Sequence, residues 1–280
     1  MTPTGAPPAG LAELRPGRAA GFTAFNALLR RDLHVVRKDI GSFLVRTLMS
    51  PLLTVFVFAY VFPKIGQGVG GGRGEDAFST LLVPGVIATA CIFQGIQAVA
   101  LPLVQEFGYT REIEDRVLAP LPVWAVAVEK LVSGALQGVL AGMVVFPLAN
   151  FVPAIPVHLS FHWPLLLIVA PLSALLGASL GLAIGTRVAP PQVPLVFSIL
   201  VIPIIFLGAT YYPWSRLGPI PWLKWAVLAN PLVYMSEGLR ASLTDGIPHM
   251  PLPGMFAGLI AFTAGLAVLG VRGFQRRVIG

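Results

Sequence analysis

Four stretches of this chain contain no Asp, Glu, Lys or Arg: Ala77 to Gln105, Leu131 to Thr186, Val188 to Ser215 and Gly246 to Val271. Each is long enough to cross a bilayer, which takes roughly 20 apolar residues. Hydrocarbon offers no hydrogen-bonding partner to a peptide group, so such segments must satisfy their own backbone, and long apolar runs do so as helices. A water-soluble reading fails on area. With 56% hydrophobic and 11% charged residues and a mean hydropathy of +0.82, one soluble domain would leave apolar surface uncovered. The fold class read from the residues is therefore all-α, a polytopic membrane protein. The single cysteine, Cys91, excludes an intramolecular disulfide and reads as a small apolar filler inside a span.

Prolines and charges divide the apolar stretches into six spans, approximately 43 to 63, 79 to 102, 125 to 150, 164 to 186, 191 to 212 and 252 to 271. The longest uncharged stretch holds two of them, broken at Asn150 to Pro164, where Pro153, Pro156 and Pro164 disfavour a helix interior. Net charge of +7 and a pI near 10.1 do not imply a nucleic-acid partner, because the basic residues flank spans instead of covering a soluble face. With the N-terminus inside, twelve Lys and Arg fall on the inner side and five on the outer. The positive-inside rule then puts both termini in the cytoplasm.

Outside the spans, residues 1–21 read as a disordered cytoplasmic tail, with four prolines, four glycines and no apolar segment. Residues 22–42 place Phe22, Phe25, Leu28, Leu29, Leu33, Val36 and Ile40 at helical steps, with Arg30, Arg31, His34, Arg37 and Lys38 between them. That pattern predicts an amphipathic helix in the inner interface, its basic face toward anionic headgroups. Residues 213–240 are too interrupted to span, and Trp214, Trp222, Trp225 and Tyr234 suit an external re-entrant or interfacial hairpin before the last span.

Motifs for chemistry are weak or out of place. Gly177-Ala-Ser-Leu-Gly181 fits a nucleophile elbow in letters only, since it sits mid-span where a strand-turn-helix is required. His158 and His162 lack a third ligand and read as loop histidines, so no metal site is expected. No lysine follows a glycine, which removes a phosphate-binding P-loop, and the chain is expected to bind no cofactor. Glu129 and Lys130 are charges at a membrane edge, and Lys130 either marks the span's end or contacts a neighbouring helix or partner. Gly134, Gly138 and Gly142 line one side of the third span and Gly177, Gly181 and Gly185 one side of the fourth, which predicts close helix packing, within the chain or at a dimer seam. Gln94, Gln97 and Gln137 either line a pathway or join helices.

The one charged inner loop of any size runs from Gln105 to Trp124, with an amphipathic helix over about 106–119 that is suited to push on a soluble partner. With Glu129-Lys130-Leu131 it resembles the coupling-helix region of the ABC-2 type permeases, the membrane subunits of bacterial ABC exporters. Leu29-Arg-Arg-Asp32, Arg37-Lys-Asp39 and Pro51 are similar to that family's first helices. The more specific likeness is Phe206-Leu-Gly-Ala-Thr-Tyr-Tyr-Pro213, Pro221-Trp-Leu-Lys-Trp225, Ala229-Asn-Pro-Leu-Val-Tyr234 and Glu237-Gly-Leu-Arg240.

The resemblance implies a multi-pass permease in the bacterial inner membrane, paired with a second copy of itself or a related permease. A separate ABC ATPase subunit, which uses ATP and Mg, would dock below. Arg111, Glu112, Ile113, Glu114, Asp115, Arg116, Val117 and Leu118 would receive the ATPase movement. Phe93, Gln94, Gln97, Phe197, Phe206, Leu207 and Thr210 would border the substrate route, and the cargo would be a drug-like, lipid or lipid-linked saccharide molecule. The competing reading is a membrane-embedded enzyme acting on lipid or glycolipid, which needs convergent acidic or histidine groups near one membrane face.

Overall fold

In the computed structural model the described residues are 18–65, 75–110 and 121–279, and among them every regular element is helical. Helix α1 (Arg18–Lys38) is followed after Asp39 by α2 (Ile40–Lys64). Next come α3 (Glu75–Gln105), α4 (Val123–Phe151), α5 (Trp163–Gly185) and the shorter α6 (Pro190–Phe206). Then follow α7 (Pro221–Ala226), α8 (Pro231–Leu243) and α9 (Leu252–Ile279).

Five segments are long and apolar enough to cross a membrane: Ile40–Lys64, Phe78–Gly108, Val123–Ala149, Trp163–Gly185 and Leu252–Val278. They correspond to the expected first, second, third, fourth and last spans, with ends shifted by a few residues. The expected fifth span, 191 to 212, is helical only to Phe206. Its 17 residues rise about 25 Å, less than the roughly 30 Å of hydrocarbon. The cause lies in two side chains, one from the N-cap of α8 and one from the helix itself. Asn230 Nδ2 donates to the Ile204 carbonyl at 2.8 Å, taking the acceptor that the Gly208 N–H would use in a continuing helix. Ala209 then adopts φ +54°, a left-handed conformation, and its carbonyl accepts from Arg240 Nη2 at 2.8 Å.

Helix α3 is the axis of the molecule. Leu82, Val83, Val86, Ile87, Cys91, Ile92 and Ile96 are all buried, against α4 and α5 on one side and α8 on another. The two glycine rows pack inside the chain. A Cβ on Gly177 would lie 2.9 Å from the Ile92 Cα, and one on Gly181 would lie 2.7 Å from the Gly95 carbonyl oxygen. A third, on Gly185, would lie 3.0 Å from the Ala100 Cα. The α5 row therefore meets α3 backbone to backbone. The α4 row meets side chains: Gly138 faces Ala174 Cβ at 3.1 Å and Gly142 faces Cys91 Sγ at 2.9 Å. Cys91, buried at that contact, is packing in the sense anticipated.

Proline marks the irregular turns. Pro51 precedes a π-helical turn at Phe56–Val61 in α2, and Pro194 and Pro203 flank another at Phe197–Val201 in α6. A missing amide donor in a helix leaves the ladder free to shift register locally. At the N-terminal end α1 leans its half-buried Phe25, Leu28, Leu29 and Leu33 toward α4, while Phe22 and Val35 are exposed.

Candidate functional site

Helices α2, α3 and the end of α6 enclose a cavity of about 230 Å³. From α2 come Thr47, Ser50 and Thr54, which fall on one face at helical spacing; from α3 come Thr89, Phe93 and Gln94; from α6 and the turn beyond it come Phe206, Thr210 and Tyr211. The cavity is hydroxyl- and amide-bearing inside otherwise apolar helices. Thr47 Oγ1 donates to Gln94 Oε1 at 3.1 Å, and the Gln94 amide donates onward to Gln137 at 3.4 Å, which donates to Ser133 at 3.4 Å. Thus two of the three glutamines join α2, α3 and α4, and Gln94 also faces the cavity. Thr89 and Thr210 share a hydrogen bond at 3.2 Å between α3 and the turn after α6. That approach requires Gly85, where any Cβ would overlap the Thr210 carbonyl. Phe58 and Phe206 flank Tyr211, with ring centroids 5.1 and 6.4 Å away.

Of the pathway residues expected from the sequence, Phe93, Gln94, Phe206 and Thr210 line this cavity. Phe197 packs edge-on against Phe93, with centroids 6.4 Å apart. Gln97 lies one turn along α3, half-buried and away from the lining, and Leu207 lies past the helix end, 43% exposed. The coupling residues Arg111 to Leu118 lie outside the described residues.

The turn that closes one wall is held by an ion pair that sequence reasoning missed. Glu237 and Arg240 have no exposed side-chain surface and pair directly, i to i+3 on α8. Glu237 Oε1 also accepts the Trp214 N–H at 2.9 Å, and Oε2 accepts the Met250 N–H at 2.6 Å. Arg240 reaches the Ala209 carbonyl. Burial pulls the guanidinium below its ordinary value and the adjacent carboxylate pulls it back up. One charge pair thus ties the segment after α6, the start of the 213–240 region and the chain leading into α9.

A second cluster sits where the chain leaves α3. Lys130 on α4 is 3.0 Å from Asp32 on α1 and 3.5 Å from Glu106 in the turn continuing α3, and its side chain is 5% exposed. It contacts neighbouring helices, the second of the two roles open to it in the sequence. Lys130→Met should lower the melting temperature in detergent, because two largely buried carboxylates lose a shared cation. A cost of about 1–3 kcal/mol is expected for losing charge-assisted contacts to a buried cation. Lys130→Arg should retain most of the stability, and equal melting of K130M and wild type would remove the cluster's structural role.

Residues 23–244 match the family model described as ABC-2 type transporter. The chain belongs to the ABC-2 type transporter family. The matched range runs from α1 to just past α8 and contains the cavity, the Lys130 cluster and the Glu237–Arg240 pair. Among relatives, the proteins named "Inner membrane transport permease YadH" from Escherichia coli strain K12 and from Shigella flexneri are each 28% identical over 234 residues. The alignment covers 80% of this chain and 87% of theirs. This ABC-2 permease is therefore a multi-pass membrane transport protein by family and by its apolar helices.

Proposed function

We propose that this permease is the membrane half of an ATP-driven exporter, acting as a dimer of itself or with a related permease, on a separate ABC ATPase subunit that uses ATP and Mg. The observation that carries the reading is the α2–α3–α6 cavity, whose hydroxyls, amide and aromatic rings can bind a passing molecule without reacting with it. At about 230 Å³ it is smaller than the ~300–1,000 Å³ usual for a small-molecule site. A route for a drug-like, lipid or lipid-linked saccharide cargo must therefore widen, and the exposed faces of α2 (Val45, Met49, Leu53) and α6 (Leu195, Ile199) are free to meet a second copy around it.

In this reading the chain crosses six times with both termini inside. Pro190–Phe206 and the turn after it make the fifth crossing. Helix α1 lies in the inner interface, and 213–240 folds back as an external hairpin with Trp222 and Trp225 exposed at headgroup level. ATP binding favours one state of the dimer, and the segment 106–119 transmits that preference. The Lys130 cluster supports this, since it fastens both α1 and the start of that segment to α4.

Reconstitution tests it. Proteoliposomes holding permease and ATPase should move cargo only with ATP, and transport by the permease alone would overturn the reading. Glu112→Lys with Asp115→Lys should reduce ATP-driven transport or ATPase co-purification at least tenfold while leaving membrane insertion unchanged. Unaltered transport and stoichiometry would remove the coupling role from that segment.

A further inference from the structure

At the α6-proximal end of α5, against the last turns of α9, lies a second cavity of about 460 Å³. Four of its lining residues are arginines: Arg187 from the link between α5 and α6, and Arg272, Arg276 and Arg277 from α9. Among the described residues no carboxylate lines it and none of the four forms an ion pair. Two of the guanidiniums are held in place by backbone carbonyls. Arg187 donates to Ala183 at 3.3 Å and Leu269 at 3.4 Å, while Arg277 donates to Gly185 at 3.4 Å and Val188 at 3.3 Å and stacks over the Phe107 ring at 4.7 Å. Two of these bonds, to Ala183 and Gly185, engage carbonyls at the negative end of α5, and the four positive charges still converge on one space. Arg272 and Arg276 are one helical turn apart and exposed, with donors unassigned. Gly273 between them keeps the wall thin, since a Cβ there would lie 2.7 Å from Thr186 Oγ1.

Among the described residues this space holds four positive charges and no counter-charge. Guanidinium forks are suited to phosphate oxygens, which accept paired N–H donors. The surroundings choose between a soluble phosphate and a lipid. The cavity lies at the ends of two membrane-length helices, so its depth is that of headgroups, and directly along α9 the apolar Val268 and Leu269 are 48% and 47% exposed. A basic pocket continuous with an exposed apolar strip fits an amphiphile, head in the cavity and acyl chain along the helix. The arginine-only lining also exceeds what orientation alone needs, because flanking charges that merely set topology need not share a cavity.

We infer that the arginine cavity between α5 and α9 binds the phosphate headgroup of an anionic membrane phospholipid. Three of its four arginines lie beyond the residues matched to the family model.

Full-length permease in nanodiscs of phosphatidylcholine mixed with phosphatidylglycerol provides the test, with bound lipid counted by native mass spectrometry after release. Wild type should retain phosphatidylglycerol. Arg272→Gln with Arg276→Gln should weaken retention about tenfold or more, on the scale of two basic contacts at an anionic surface. A control pair away from the cavity, the exposed Lys64→Gln with Arg216→Gln, removes the same charge elsewhere and should retain the lipid. Equal loss in both pairs would reduce the effect to overall charge and overturn the site. Displacement of the lipid by millimolar inorganic phosphate would reassign the cavity to a soluble anion. Unchanged lipid retention in the α9 pair, with weakened ATPase co-purification, would reassign it to a protein contact. Arg272→Lys with Arg276→Lys should bind at an intermediate level, since charge remains without the paired donors.

Discussion

Glu237→Gln and Arg240→Met are each expected to leave little folded permease. Both side chains are fully enclosed, and removing one partner strands the other as an uncompensated charge, which costs about 3–5 kcal/mol in buried pairs. Most folded domains have only ~5–15 kcal/mol in total. The damage would spread beyond the pair. In Glu237→Gln an amide donor faces the Trp214 or Met250 N–H, and in Arg240→Met the Ala209 carbonyl loses its partner at the left-handed turn that ends α6. The double variant Glu237→Met with Arg240→Met should recover part of the loss, because it deletes both charges together, yet stay below wild type with two N–H groups and one carbonyl unpartnered. Fluorescence-detected gel filtration and thermal unfolding in detergent read this order directly. Single variants that elute and melt like wild type would show that the pair holds nothing.

The same pair shows why part of this molecule could not be read in advance. On a helix, Glu and Arg three apart look like any solvated surface pair, and nothing in one sequence says that α8 is enclosed on all sides. Arg240 therefore counted as an outer-surface charge when it is an interior strut. Lys130 was conspicuous as a charge at a span edge, but its partner Asp32 is 98 residues away and only the fold selects it. By contrast α3, α4, α5 and α9 were legible from uncharged length alone, because lipid permits so few ways of satisfying a backbone. Thr47, Ser50 and Thr54 lay in between. Their helical spacing was visible, but small hydroxyls bond back to their own helix so readily that the stripe pointed to no cavity until α3 and α6 closed over it. The end of α6 failed for a third reason: apolar residues run on to Tyr212, and the stop signal is a side chain from another helix.

Close packing at the α3–α5 crossing gives the other large effect. Gly95→Leu and Gly181→Leu should abolish assembly of the permease. A Cβ at Gly95 would sit 2.5 Å from the Gly177 carbonyl carbon, and one at Gly181 would sit 2.7 Å from the Gly95 oxygen, so the obstruction is backbone against backbone. Side chains can rotate away, but two helices can only separate, and separation removes the contact that holds them together in lipid. Even alanine should be felt here, beyond the ~1–3 kcal/mol of ordinary overpacking for the leucine variants. Gly138→Ala should be milder, since the nearest atom is the Ala174 Cβ at 3.1 Å, and Gly265→Ala should be neutral or stabilising, with nothing within 4 Å and a better helix former in place. Yield of monodisperse protein across the series tests the order; a well-folded Gly95→Leu would refute it, as would a Gly265→Ala that is equally damaging. The consequence reaches the proposed coupling. Glu106, beside Lys130, and Gln94, in the cavity wall, lie on the α3 segment about 18 Å apart along its axis. A push received below is delivered to the cavity only if α3 moves as a rigid rod, and its seam with α5 supplies that rigidity. Gly95→Ala, if it folds, should therefore lose ATP-driven transport more than it loses stability, as a loosened seam lets the push dissipate between the two helices.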